Sequence, residues 1–249
     1  MGTKQHSALV GANLHVTKDD SVGPPQLQID AVETISIKDE NVTEPKLETD
    51  FLRKYLEGRQ VFYDDFLGAV LDNRWAESGD AGGSAVITTR SSLLLTTDTD
   101  INDIWRINWN GKQGIYMGKF PKLFARITVT DLANPDVEVA LWKDVNNYVE
   151  FFFNPGLNPN WLAVSSKGGV AFSFDTGVAV TVNPVKLKID VVSATEVRYY
   201  INGVFVYTET NATFIPNTVD VEPQIELQAI GSAPVTLKVD TVILTANPE

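Results

Sequence analysis

Acid–base chemistry in this chain has few places to come from. His6 and His15 are the only histidines, and cysteine is absent. A serine or thiol nucleophile paired with an imidazole is therefore excluded from everything beyond residue 15, as are thiolate metal sites and disulfides. His6 and His15 have no third ligand in an obvious position for a metal; they are expected to pack or hydrogen-bond at a docking surface. Carboxylates remain. Two carboxyl groups roughly 5 Å apart suffice for retaining glycoside hydrolysis. Glu48-Thr49-Asp50 has the alternation but falls in a helical stretch. Glu222 and Glu226 share one face of a strand, with Pro223 and Ile225 between them, and are expected to be solvated. Asp98-Thr99-Asp100-Ile101-Asn102-Asp103 offers oxygens at alternate positions, as Ca²⁺ requires, with Asp98 and Asp100 as first ligands. Asp103, however, stands where a calcium helix-loop-helix needs Gly, and Trp109 where it needs Glu. Aromatics crowd the middle of the chain: Trp105, Trp109, Trp142, Tyr148, Phe151, Phe152, Phe153, Trp161 and Phe172. A sugar platform or subunit interface built on Trp105, Trp109, Trp142, Trp161 and Tyr148 would explain them, and so would burial under neighbouring loops.

The elements that must position these residues fall into three regions. Residues 1–44 are polar, poor in aromatics and interrupted by Gly23-Pro24-Pro25. They hold too little apolar surface to offset their ordering entropy, so an extended arm that orders on a partner is expected. Residues 45–58 predict a connecting helix: Thr43 or Glu44 caps it, Pro45 opens it, Leu47, Phe51, Leu52 and Tyr55 share a face, and Gly58 ends it. Residues 59–249 predict a β-sandwich. Leu123, Ala125, Ile127 and Val129 alternate with polar or exposed partners, as do Val185, Leu187, Ile189 and Val191. So do Ile225, Leu227 and Ala229, and Val235, Leu237 and Val239. Asn202-Gly203 between two such runs is a strong hairpin signal. Tyr148–Phe153 places bulk on both faces of one strand. About a dozen strands without an intervening helix predict two stacked antiparallel sheets.

Composition narrows the partners. The net charge is −12 over 249 residues, so phosphate backbones are repelled and no nucleic-acid partner is expected. No apolar run approaches the roughly 20 residues that span a bilayer, so no membrane partner is expected either. Met1–Val10 lack the basic start and apolar run of a secretion signal. The chain is expected to be made in the cytoplasm and to act elsewhere only by lysis or on a particle.

Two stretches carry resemblances. Val61-Phe62-Tyr63-Asp64-Asp65-Phe66, Leu71-Asp72, Trp75, the hairpin Tyr200-Ile201-Asn202-Gly203-Val204 and Leu237-Lys238-Val239-Asp240-Thr241-Val242 resemble the concanavalin A-like lectin/glucanase jelly rolls. That resemblance implies an all-β antiparallel jelly-roll sandwich over about residues 61–247. It also implies that first and last strands pair, which makes Asp65 with Asp240 a second candidate place for Ca²⁺; an ordinary polar turn and solvated strand edges explain both places as well, and no cofactor is expected. Family 16 glycoside hydrolases of this superfamily carry Glu-x-Asp-x-x-Glu on one strand. The only start of that motif here, Glu48-Thr49-Asp50, has Arg53 in the third position. The sandwich is therefore expected not to be an enzyme. Changing Glu138, Glu150, Glu222 or Glu226 to Gln is the test of that expectation.

The second resemblance is His6-Ser7-Ala8-Leu9-Val10-Gly11-Ala12-Asn13-Leu14-His15, similar to the opening of bacteriophage virion proteins such as capsid decoration proteins, head fibres and tail fibres. It implies a virion structural protein, a capsid decoration or head-fibre protein rather than a tail fibre, assembled in the host cytoplasm, anchored by His6, Leu9, Leu14 and His15 and exposing its jelly roll. The anchoring partner would be the major capsid protein or another virion protein. The resemblance further implies a homo-oligomer, a trimer by expectation, and a possible host-surface glycan as ligand. The alternatives are a lectin-type adhesin and a polysaccharide hydrolase or lyase with unrecognised catalytic residues.

Overall fold

A computed structural model describes residues 60–88 and 92–247. The expected arm, with His6, Leu9, Leu14 and His15, and the expected helix at 45–58 lie outside the described residues. The described strands are β1 (Gln60–Asp64), β2 (Ala76–Gly79), β3 (Ser84–Thr88), β4 (Ser92–Thr96), β5 (Ile104–Asn108) and β6 (Ile115–Tyr116). Next come β7 (Lys122–Val129), β8 (Pro135–Asp144), β9 (Asn147–Asn154), β10 (Asn158–Lys167) and β11 (Val170–Ala179). The last are β12 (Val185–Ser193), β13 (Glu196–Ile201), β14 (Val204–Glu209), β15 (Asp220–Ala229) and β16 (Thr236–Ala246). The short strands β2 and β6 lack clear alternation, which is why the sequence suggests fewer.

Two antiparallel sheets form the sandwich, as the concanavalin A-like pattern implies. One runs β14-β13-β12-β7-β16-β4-β3, with β1 added to β16; the other runs β11-β10-β9-β8-β15-β5-β2, with β6 added to β15. First and last strands do pair, with Phe62 opposite Leu244. The alternation decides which side chains face between the sheets. Leu123, Ala125, Ile127 and Val129 are buried from the first sheet, and Val137, Val139, Leu141, Ile225 and Leu227 from the second. At the hairpin, Asn202 (φ 52°) and Gly203 (φ 81°) both take the left-handed backbone that a two-residue turn matched to strand twist requires.

Several sequence expectations are corrected here. Trp109 and Trp161 are 1% exposed and belong to the core, and Trp105 packs partly buried against it; none of the three forms an outer platform. The cause is period two: core-facing Ile107 sets the parity of β5, and Trp105 and Trp109 share it. Asp65 instead accepts hydrogen bonds from the Tyr63 hydroxyl (3.1 Å) and the Leu67 amide (3.3 Å). Asp240 pairs with Arg126 (3.5 Å) and with Lys238 (2.6 Å), so its charge is already matched. In the acidic loop, the carboxylate of Asp103 accepts the backbone N–H of Asp98, and Asp98 accepts that of Thr99. Among the described residues, no group of three or more His, Asp or Glu is placed to hold a metal ion.

Candidate active site

The second sheet has a core face and an outer face, and the outer face carries the unusual residues. Because Val137, Val139 and Leu141 point inward, Asp136, Glu138, Ala140 and Trp142 of β8 point outward. Ile225 and Leu227 likewise turn Glu222, Gln224, Glu226 and Gln228 of β15 outward, and Val149, Phe151 and Phe153 turn Tyr148, Glu150 and Phe152 of β9 outward. Register then sets the neighbours. Glu226 stands directly opposite Glu138 on one side and Arg106 on the other. Ala140 stands between Gln224 and Glu150, and Trp142 between Glu222 and Tyr148. Three strands thus bring Asp136, Glu138, Glu150 and Glu226 into one cluster.

Four carboxyls held this close and this dry cannot all ionise at neutral pH. Burial pushes Glu138 up to about 8, with repulsion from Glu226 and Asp136 adding to it and Arg106 and Gln224 opposing. Burial pushes Asp136 up to about 6, against a hydrogen bond from Asn154 and with repulsion from Glu226. Glu150, only 4% exposed, lies well above the carboxylate range through burial and through repulsion from Glu138, Glu226 and Asp136. Glu226 is also raised by burial, but the Arg106 guanidinium acts against it, with Nε 3.2 Å from Oε2. Arg106 therefore favours the ionised form at Glu226, while the shared repulsion keeps a proton on Glu138.

A hydrogen-bonded chain aligns the pair. The Asn108 amide donates to Gln224 Oε1 (3.2 Å), which presents Gln224 Nε2 to Glu226 Oε2 (3.3 Å); Gln224 also bonds Glu138. Asp136 Oδ1, Glu138 Oε2 and Glu150 Oε2 are buried and make no hydrogen bond to the described residues. Unmet polar atoms of this kind carry a desolvation cost that a bound polar group would relieve.

Next to the cluster, Trp142 and Tyr148 stack with centroids 5.2 Å apart and planes at 19°. Beyond Trp142 opens a cavity of about 420 Å³ lined by Asn110, Gly111, Gln113, Gly114, Trp142, Lys143, Asp220, Val221 and Glu222. Of the five aromatics singled out from sequence as an outer platform, the structure brings only Trp142 and Tyr148 together on this face. Glu222 and Glu226, expected to be solvated, are half-buried; the Gly111 amide donates to Glu222 at 2.9 Å. Glu138 and Glu150 carry no motif in sequence. The legible signal was carboxylates at outward positions between buried neighbours on each of three strands.

No family model and no curated protein matches the chain. Solved structures do. A β-1,3-glucanase from Mycobacterium marinum superposes with a TM-score of 0.57 at 14% identity, covering 74% of this chain and 97% of that one. A glycosyl hydrolase family 16 protein from Mycobacterium smegmatis gives 0.55 at 12%, covering 74% and 98%. A transglycosylase gives 0.59 at 15%, covering 76% and 85%. At these identities the likeness shows the fold: a concanavalin A-like jelly roll. The expectation of a chain without catalysis is corrected. Solved structures sharing its fold are described as hydrolases and a transglycosylase, and Glu226, expected to be solvated, is half-buried in a cluster of carboxyls.

Proposed function

We propose that the outer face of the second sheet cleaves glycosidic bonds of a polysaccharide, with Glu138 as general acid and Glu226 as nucleophile. The observation that carries this is the directly opposed Glu138–Glu226 pair, with the Arg106 guanidinium 3.2 Å from Glu226. Directly opposed residues on antiparallel strands have Cβ atoms about 4.5–5.5 Å apart, close enough for their carboxyl groups to take up the roughly 5–5.5 Å separation of retaining enzymes. Glu138 gives its proton to the glycosidic oxygen as a Glu226 oxygen bonds the anomeric carbon, and the alcohol leaves. Glu138, now ionised, takes a proton from water; the water oxygen bonds the anomeric carbon and Glu226 departs as carboxylate. Gln224 holds both carboxyls in line and Arg106 opposes the burial that raises Glu226. The glucanase and family 16 hydrolase among the solved structures of this fold support the choice of chemistry.

The test is release of reducing ends from β-1,3-, β-1,4- and mixed-linkage glucans, agar, carrageenan and bacterial capsule polysaccharide. Glu138→Gln and Glu226→Gln should each lower turnover by about a hundredfold or more. No product from any of these polymers, or undiminished turnover in both variants, overturns the assignment.

The setting is a proposal of its own, supported by the His6–His15 resemblance to virion proteins. The arm would anchor a trimer to a capsid or other virion protein and display the sandwich toward host-surface glycan. Deleting residues 1–44 should abolish incorporation into particles while leaving the sandwich folded; wild-type occupancy would refute it.

A further inference from the structure

Resting on the glycan-cleaving assignment, we propose that the cavity beside Trp142 is a distal saccharide subsite that takes an uncharged sugar residue and excludes an anionic one. One face of the Trp142 ring is covered by Tyr148. Across β8 on the other side stands Glu222, and Trp142 and Glu222 both line the cavity. An indole face of this kind suits the apolar face of a pyranose.

The walls supply the polar partners. Asn110 and Gln113 offer amides, and Asp220 and Glu222 offer acceptors for hydroxyl groups. Asn110 (φ 50°) and Gly111 (φ 67°) turn the chain so that the Gly111 amide holds Glu222, and a Cβ built at Gly111 would meet nothing within 4 Å. The wall therefore keeps open space there while fixing the acceptor.

Distance and charge define the role. Trp142 lies four residues along β8 from Glu138, about 13 Å at the rise of an extended strand. That is farther than one sugar ring spans, so this subsite would grip the substrate away from the bond that breaks. Around the cavity, Asp220 and Glu222 oppose the single cation Lys143. The whole chain carries −12. A uronate or sulfated residue would enter against this field.

The experiment uses the full chain and measures affinity by calorimetry for cellopentaose, laminaripentaose and pentagalacturonate. At least one neutral pentasaccharide should bind. Trp142→Ala should weaken it about tenfold or more, and Trp142→Phe, which keeps a ring, should restore most of the affinity. Pentagalacturonate should not bind, and Asp220→Lys, at an exposed wall position, should raise its affinity. Equal binding by wild type and Trp142→Ala, no binding of either neutral pentasaccharide, or wild-type binding of pentagalacturonate as tight as of the neutral sugars overturns the subsite. Trp142-dependent binding without any hydrolysis leaves the subsite standing and removes the catalytic assignment. Hydrolysis lost in Glu226→Gln, with chain-length dependence unchanged in Trp142→Ala, does the reverse.

Discussion

Replacing Glu138 by Gln should make the protein more stable at alkaline pH and leave it nearly unchanged in acid. Burial and the neighbouring carboxyls raise Glu138 from 4.5 to about 8 in the folded state. Between those two values the folded chain binds a proton that the unfolded chain has released, so stability falls as pH rises through the window. At one pKa unit per 1.36 kcal/mol, the full shift corresponds to about 5 kcal/mol. Glu150, Glu226 and Asp136 share protons with Glu138, so a neighbour takes up part of that cost and roughly 1–3 kcal/mol should appear on removing one member. Gln resembles the protonated acid in shape and hydrogen bonding, so below pH 4.5 the two proteins should unfold alike. The assay is urea denaturation of wild type and Glu138→Gln at pH 4.5 and pH 8.5. The stability difference should be near zero in acid and favour the variant by about 1–3 kcal/mol in base. A difference that does not change with pH, or one favouring wild type at pH 8.5, refutes the buried carboxyl cluster.

Arg106→Met removes the cation that favours ionised Glu226, so the acid limb of the pH–rate profile should move to higher pH; an unmoved limb would separate Arg106 from the nucleophile. Phe151→Ala empties a fully buried position between the sheets and should cost about 3–5 kcal/mol in denaturant unfolding; a loss under 1 kcal/mol would mean that the core collapses around it. Gly203→Val puts a β-branched residue at φ 81° and should cost about 1–2 kcal/mol without altering turnover, as thermal unfolding and initial rates would check.

The fold and the site were legible to different degrees, for one reason. Alternation is local: Val137, Val139 and Leu141, or Ile225 and Leu227, announce a strand and its inward face without reference to any other segment. The antiparallel sandwich and the Asn202-Gly203 hairpin could therefore be derived from the chain alone. The same alternation already turned Glu138, Glu150 and Glu226 outward, each on a different strand. A search for carboxylates along one strand passes over them, because here the proximity runs across strands.

Pairing is decided by which of many strands the core and the loops bring together, and in what register. That register set Glu226 against Glu138, Glu150 beside Ala140, and Trp142 between Tyr148 and Glu222. Strand parity had already separated the tryptophans: Trp109 and Trp161 fill the core, while Trp142, turned outward on β8, borders a cavity. Sequence by itself determined the strands, their inward faces and the charge of the chain, because those depend on neighbours one or two residues away. Only the tertiary structure decided which carboxyls share protons, because that depends on side chains a few ångströms apart in space that are far apart along the chain.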